Sequence, residues 1–197
     1  MASVSDKTIR MFRVSLICLY GLGSLACDDL PSLIESARQG DVNAQLELGL
    51  MHFNTLENVP ENAVKAADWF RKAAEKGNPV AQFYLATLYR DGLGVPQSDL
   101  EKVKWLSRAS EQGDFHAQYA LARSYLNGDG VQRDLLLAHQ WMSLSASRCM
   151  DDVDNRELCN HASAERDEIA SELTPHQIIE LQKSVKQWHP TKESATE

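Results

Sequence analysis

Residues Glu75 to Trp105 read EKGNPVAQFYLATLYRDGLGVPQSDLEKVKW, and residues Glu111 to Trp141 read EQGDFHAQYALARSYLNGDGVQRDLLLAHQW. Laid one above the other, they agree in fixed columns: Gly77 and Gly113, Ala81-Gln82 and Ala117-Gln118, Leu85 and Leu121, Ala86 and Ala122, Val95 and Val131. A third, weaker copy from Arg38 to Trp69 supplies Gly40, Ala44-Gln45, Leu48, Gly49 and Val59. Trp69, Trp105 and Trp141 fall 36 residues apart in a chain with only 4 tryptophans. Self-similarity at such a period marks a repeat architecture, and it fixes how every local element is read.

Each unit reads as two helices. In the middle unit Asn78 to Arg90 carries Ala81, Leu85, Leu88 and Tyr89 at helical spacing. The glycines of Asp91-Gly92-Leu93-Gly94-Val95-Pro96 suit left-handed turns, and the proline cannot continue the helix. Ser98 with Glu101 predicts a capping box opening a second helix that runs to about Gln112, with Gly113 as its stop. Asn127-Gly128-Asp129-Gly130 repeats the loop, whereas the first unit has a longer, glycine-free Asn54 to Pro60 and a looser expected turn. Small residues at 44/81/117 and 49/86/122 let the paired helices approach closely, and the tryptophans fill the space between units. A single pair cannot bury its apolar face, so the units must stack.

The pattern A-x-x-G-[DN]-x-x-A-Q-x-x-L-[GA]-x-x-Y, then G-x-G-V-P, then W-[FL] resembles the Sel-like repeat (SLR), a relative of the tetratricopeptide repeat. His52 stands where Tyr89 and Tyr125 carry the tyrosine of that pattern. The resemblance implies an all-α protein, an α/α superhelical solenoid of SLR helix pairs whose concave wall binds other proteins. The expected organisation is a solenoid over 27–148 with repeats at about 38–74, 75–110 and 111–146, preceded by a half-repeat cap near Pro31 to Gln39. Capping helices follow over 149–189, one from about Asn155 to Leu173 and one from Pro175 to Trp188, then a disordered tail over 190–197. Thr174-Pro175-His176-Gln177 is a capping box, and Ile178, Leu181, Val185 and Trp188 form a stripe able to seal the last repeat.

The chain begins as an address. Lys7, Arg10 and Arg13 precede an apolar run from Val14 to Ala26, too short for a bilayer span and of the length of a secretory core. Residues 1–26 are therefore expected to be a signal peptide, with Ser24 and Ala26 before the cleavage point. Cys27 resembles the acceptor of a bacterial lipobox, although Ser24 replaces the usual large aliphatic residue. The expected location is periplasmic or membrane-anchored in a bacterial envelope, with secretion as the alternative. Cys149 and Cys159 then read as a disulfide in an oxidising compartment. A metal site of Cys149, Cys159 and His161 lacks zinc spacing and a fourth ligand.

Composition narrows the activity. The chain has 197 residues, 43% hydrophobic and 24% charged, so it can build a core. Its net charge of −8 without a basic cluster argues against nucleic acid. No G-x-S-x-G, S-x-x-K or H-E-x-x-H is present, Gly92-Leu93-Gly94 lacks a phosphate-loop lysine, and the 6 histidines share no spacing. A non-enzymatic chain with no cofactor, and with membrane contact only through a lipid on Cys27, is expected. The groove mapped by analogy with tetratricopeptide geometry contains Asn43, Leu46, Leu50 and Phe53 from the first unit. The second unit contributes Val80, Phe83, Thr87 and Arg90, and the third His116, Tyr119, Arg123 and Leu126. Apolar anchors beside two arginines suit a peptide or protein partner that carries a carboxylate. The alternative implied by the resemblance is a β-lactamase-like or penicillin-binding hydrolase of the cysteine-rich SLR type, of which this chain keeps one cysteine pair rather than one per repeat.

Overall fold

A computed structural model describes residues 30–55, 60–148 and 155–191. The described residues form nine helices and no strand: α1 (Leu30–Arg38), α2 (Val42–Phe53), α3 (Pro60–Glu75), α4 (Pro79–Asp91), α5 (Asp99–Glu111), α6 (Phe115–Asn127), α7 (Leu135–Arg148), α8 (Arg156–Ser171) and α9 (Pro175–Gln187). Successive helices pack as hairpins, α2 on α3, α4 on α5 and α6 on α7, and each hairpin stacks on the next to give an SLR solenoid. Helix α1 packs on α2, the first helix of the first unit. Residues 1–26, expected from sequence to be a signal segment, and Cys27 and Cys149 lie outside the described residues.

The repeated sequence columns are the joints of the stack. Gly40, Gly77 and Gly113 adopt φ of 99°, 88° and 94°, which turns the chain out of one helix and into the next. The following Asp41, Asn78 and Asp114 cap the new helix, accepting from the amides of Ala44, Ala81 and Ala117 at 2.8, 2.9 and 2.8 Å. The glutamine of each Ala-Gln pair then reaches back eight residues. Gln45, Gln82 and Gln118 donate from Nε2 to the carbonyls of Ala37, Ala74 and Ser110 at 2.9, 3.0 and 3.1 Å. These carbonyls sit in the last turn of the preceding helix, where each also accepts from the amide of the following Gly40, Gly77 or Gly113, at 3.2, 3.0 and 3.0 Å. All three glutamines are buried, so the bond ties adjacent units where water cannot substitute.

Loop glycines set the spacing between units. A Cβ on Gly94 would overlap the backbone of Ala63, and one on Gly130 the backbone of Asp99. Each loop thus rests directly on the second helix of the unit before. The first unit departs as its sequence suggests: α2 ends at Asn54 with φ −67° instead of a left-handed glycine. Ser98 forms only half of the expected capping box. It accepts from the Glu101 amide at 3.2 Å, while the Glu101 carboxylate turns to Lys104 at 3.2 Å. At Thr174 both halves of the box are made.

Alanines 44, 81, 86, 117 and 122 are buried, and the space beside them is taken by Phe70, Leu85, Leu88, Leu121 and Met142. Fully burying a side chain of that size contributes about 1.5–3 kcal/mol. Trp105 lies inside the central core, and Trp69 covers the cluster of Ala37, Ala44 and Leu48. Trp141 bridges the central cluster and the one around Ala122 and Met142. Their outer faces carry cations or another ring: Lys72 lies 4.1 Å from the centroid of Trp69, Arg108 4.8 Å from Trp105, and Trp188 meets Trp141 edge-on at 6.3 Å.

Helix α8 continues the row of first helices, and α9 packs back on α7. Pro190 and Thr191, assigned from sequence to a disordered tail, run alongside the second and third units. The Thr191 amide donates to the Glu111 carbonyl at 2.9 Å, and Pro190 lies within contact of where a side chain on Gly113 would stand.

Candidate functional site

The first helices α2, α4, α6 and α8 stand side by side through ring and polar contacts. Phe53 of α2 meets Tyr84 of α4 at 5.1 Å, and Phe83 of α4 meets His116 of α6 at 5.5 Å. His116 Nε2 lies 3.2 Å from Asn155 Oδ1, just before α8. The Tyr119 hydroxyl donates to Glu165 Oε1 at 2.7 Å. Burial first, and the Glu165 carboxylate second, push the Tyr119 phenol above its ordinary range, so it stays a donor at neutral pH.

Between α4 and α6 this wall opens into a cleft of about 390 Å³. Six residues of the sequence-mapped groove line it: Phe83, Thr87 and Arg90 from α4, and His116, Tyr119 and Arg123 from α6. The others lie elsewhere. Asn43 is exposed on α2, and Val80 is 38% exposed at the start of α4. Leu46, Leu50 and Phe53 pack against the central core, where Phe53 also touches Phe70. Leu126 is half-buried and does not reach the cleft. The first unit therefore closes the wall with its apolar side chains, and the second and third units hold the opening.

The remaining lining comes from residues that the groove mapping missed. Ala86, Ala120, Ser124 and Asn127 belong to the same two helices, Asp129 to the loop, Lys102 and Leu106 to α5, and Leu158 to α8. Lys102 and Ser124 break their repeat columns. Lys102 aligns with Ala66 and Ala138, both fully buried, yet is itself only 7% exposed. Its ammonium lies 2.6 Å from Asp99 Oδ1. Ser124 aligns with the fully buried Leu88 and gives its hydroxyl to the Ala120 carbonyl at 3.2 Å. The sequence carries their signal in the buried columns: a charged residue where the other units have alanine, and a serine where the second unit has leucine.

The electrostatics are uneven. Arg90 is held by its neighbour Asp91 through Nε and Nη2, both at 2.8 Å, and this pairing keeps the Asp91 carboxyl below its ordinary range. Arg123 lies exposed, its guanidinium 5.9 Å from the centroid of Tyr119. Elsewhere burial pushes His52 and His139 below the usual imidazole value, so both are neutral in the folded chain at pH 7. Burial pushes the capping Asp114 upward, against the pull of the Ala117 amide. Among the described residues no group of three or more His, Cys, Asp or Glu is placed to hold a metal ion, and no helix is long and apolar enough to cross a membrane. Cys159 is buried in α8, and His161 is exposed on the same helix.

Residues 42–78, 79–114 and 115–148 match the Sel1 repeat. The chain belongs to the Sel1 repeat family. The matched units begin about four residues later than the sequence-based boundaries, a difference of phase within the same period. Among solved structures, a protective antigen present in uropathogenic Escherichia coli strains, displaying an SLR fold, superposes with a TM-score of 0.72 at 29% identity, over 92% of this chain and 39% of that one. A Sel1 repeat protein from Oxalobacter formigenes superposes with a TM-score of 0.55 at 36% identity, over 65% of this chain and 97% of that one. A stretch of 67 residues is 33% identical to the ERAD-associated E3 ubiquitin-protein ligase component HRD3A of Arabidopsis thaliana, amounting to 34% of this chain and 10% of that protein. This Sel1 repeat chain thus spans a tenth of that curated relative and less than half of the first structural one. Sel1 repeat proteins are generally scaffolds for protein interaction, and the fold points to protein partners.

Proposed function

We propose that this chain is a non-catalytic adaptor of a bacterial cell envelope that holds a peptide or protein partner along the row of α2, α4, α6 and α8. The observation that carries the reading is the cleft between α4 and α6, where Phe83 and Tyr119 offer apolar rings beside the exposed Arg123. Rings supply contact area at low entropic cost and arginine supplies direction, the composition of interaction hot spots. Docking without chemistry is the mechanism. A photo-crosslinking residue at Phe83 or Thr87 should trap a discrete partner that the same residue at Leu100, 71% exposed on α5, does not. Identical products from both places, or none from the groove, would remove the reading.

The envelope assignment draws on the basic lead, the apolar run and Cys27. In this reading residues 1–26 are removed on export, Cys27 carries lipid, and Cys149 pairs with Cys159 to fix the terminal helices. Closing so short a loop would contribute on the order of 2–3 kcal/mol. Mass spectrometry of the chain purified from a bacterial envelope should find a modified N-terminal Cys27 and no free thiol. An unprocessed N-terminus or two titratable thiols at 149 and 159 would count against it.

A further inference from the structure

We propose that the α4–α6 cleft reads an acidic side chain of the bound partner, with the Lys102 ammonium and the Arg123 guanidinium as its recognising groups. This rests on the proposed groove and names the chemistry that the groove selects. The repeat serves as an internal control. At the Lys102 position the fold is satisfied by alanine, since Ala66 and Ala138 are fully buried in equivalent places. Placing an ammonium there takes it out of water, which is unfavourable unless it is paired. Its ion pair, Asp99, comes from one turn earlier in α5 and has a side chain 51% exposed. An ammonium has three donors, and Asp99 Oδ1 takes one.

Ser124 is the second departure. Its column holds the fully buried Leu88 in the unit before, and the shorter side chain leaves room where the cleft lies. Two substitutions that packing does not require therefore meet on one cavity, one opening it and one charging it. The lining adds Arg123 to this side, while Arg90 is committed to Asp91 and Asp129 is the one lining carboxylate. The lining thus brings three cationic side chains, Arg90, Lys102 and Arg123, against one carboxylate, in a chain of net charge −8. Arg123 is the one of the three that no carboxylate among the described residues holds. Guanidinium and ammonium groups in a part-buried site favour a carboxylate, and the rings of Phe83 and Tyr119 suit apolar residues beside it.

The test is a random peptide library displayed against the whole chain. A selected peptide is resynthesised with its Glu or Asp changed to Gln or Asn, and both forms are titrated calorimetrically on wild type, Lys102→Ala, Arg123→Thr and Ser124→Leu. Each variant installs a residue that the repeat itself uses in that column, so the fold is retained, and a melting curve verifies it. On wild type the amide form should bind about tenfold more weakly or worse, and on Lys102→Ala the two forms should converge. Ser124→Leu should abolish binding of both by filling the cleft. Equal affinity of the two forms on wild type, or acid preference undiminished in Lys102→Ala, overturns the inference. If peptides without an acidic residue bind and Ser124→Leu blocks them, the carboxylate site falls and the groove stands. If no peptide is selected, or Ser124→Leu leaves binding intact, both fall.

Discussion

A Cβ on Gly49 would lie 2.5 Å from the ring of Phe70. The same two columns hold Ala86 with Leu106 and Ala122 with Met142 in the later units. The first unit has traded a methyl on α2 for a larger ring on α3, and that ring is fully buried, stacked on Tyr84 at 5.1 Å. Gly49→Ala should therefore destabilise the chain by about 1–3 kcal/mol through overpacking, although alanine is the better helix former. Phe70→Leu added to it should recover part of the loss, giving a favourable coupling in a urea double-mutant cycle. Additive losses would show that the ring has room to move.

Gln82 tests the tie between units. Its Nε2 caps the Ala74 carbonyl at 3.0 Å, and its Oε1 accepts from Gln112 at 2.8 Å. The Ala74 carbonyl keeps the Gly77 amide at 3.0 Å, so Gln82→Ala removes the side-chain bonds and their buried packing rather than the carbonyl's last donor, and should cost about 1–2 kcal/mol. Solenoid stability is a sum of units and their interfaces. Hydrogen exchange should then speed up first in α3 and α4, on the two sides of the broken joint, before α7.

These two relations show what was legible in the chain. Every joint of the stack, from Gly77-Asn78 to Gln82 and Trp105, recurs at a fixed period because each unit must solve the same packing problem against its neighbour. The cleft follows no such rule. It exists where single units break the repeat, the third at Ser124 against Leu88 and the second at Lys102 against Ala66 and Ala138, and agreement between copies says nothing of such positions. Leu158 was out of reach for another reason: the fourth unit begins out of pattern, so nothing in the columns places α8 beside α6. The fate of Arg90 was equally hidden, since its pairing with adjacent Asp91 is a choice of rotamer rather than of spacing.

His52 gives the fold an acid-sensitive joint. Burial, and secondarily Lys65, hold its imidazole below the ordinary 6.5, against a smaller upward pull from Asn62. A lowered folded value means that the unfolded chain binds the proton more readily, so stability is lost as the pH falls through 6.5 and levels off below the folded value. The buried Asp114, pushed upward, works in the opposite sense, and His139 works in the same one. Comparison with a variant isolates His52. In His52→Tyr, which installs the residue of Tyr89 and Tyr125, the melting temperature should fall less between pH 7 and pH 5 than in wild type. Parallel profiles would place the sensitivity elsewhere.

The terminal seal depends on Trp188. Its ring meets Trp141 edge-on at 6.3 Å, and the Arg148 guanidinium lies 4.7 Å from its centroid. In the earlier units the outer face of the indole is covered by Lys72 on Trp69 and Arg108 on Trp105. In the third unit Leu144 follows at the equivalent place, so no cation of the same turn covers Trp141. Trp188 supplies the cover. Trp188 is half-buried, so Trp188→Ala should destabilise the chain by about 2 kcal/mol, combining the lost partly covered ring with the ring pair. The change should also appear locally, as a red-shifted Trp141 emission and faster exchange in α7, with α2 and α3 unaffected. A uniform rise in exchange over all helices would mean that the stack unfolds as one body and that α9 is part of the core rather than its lid.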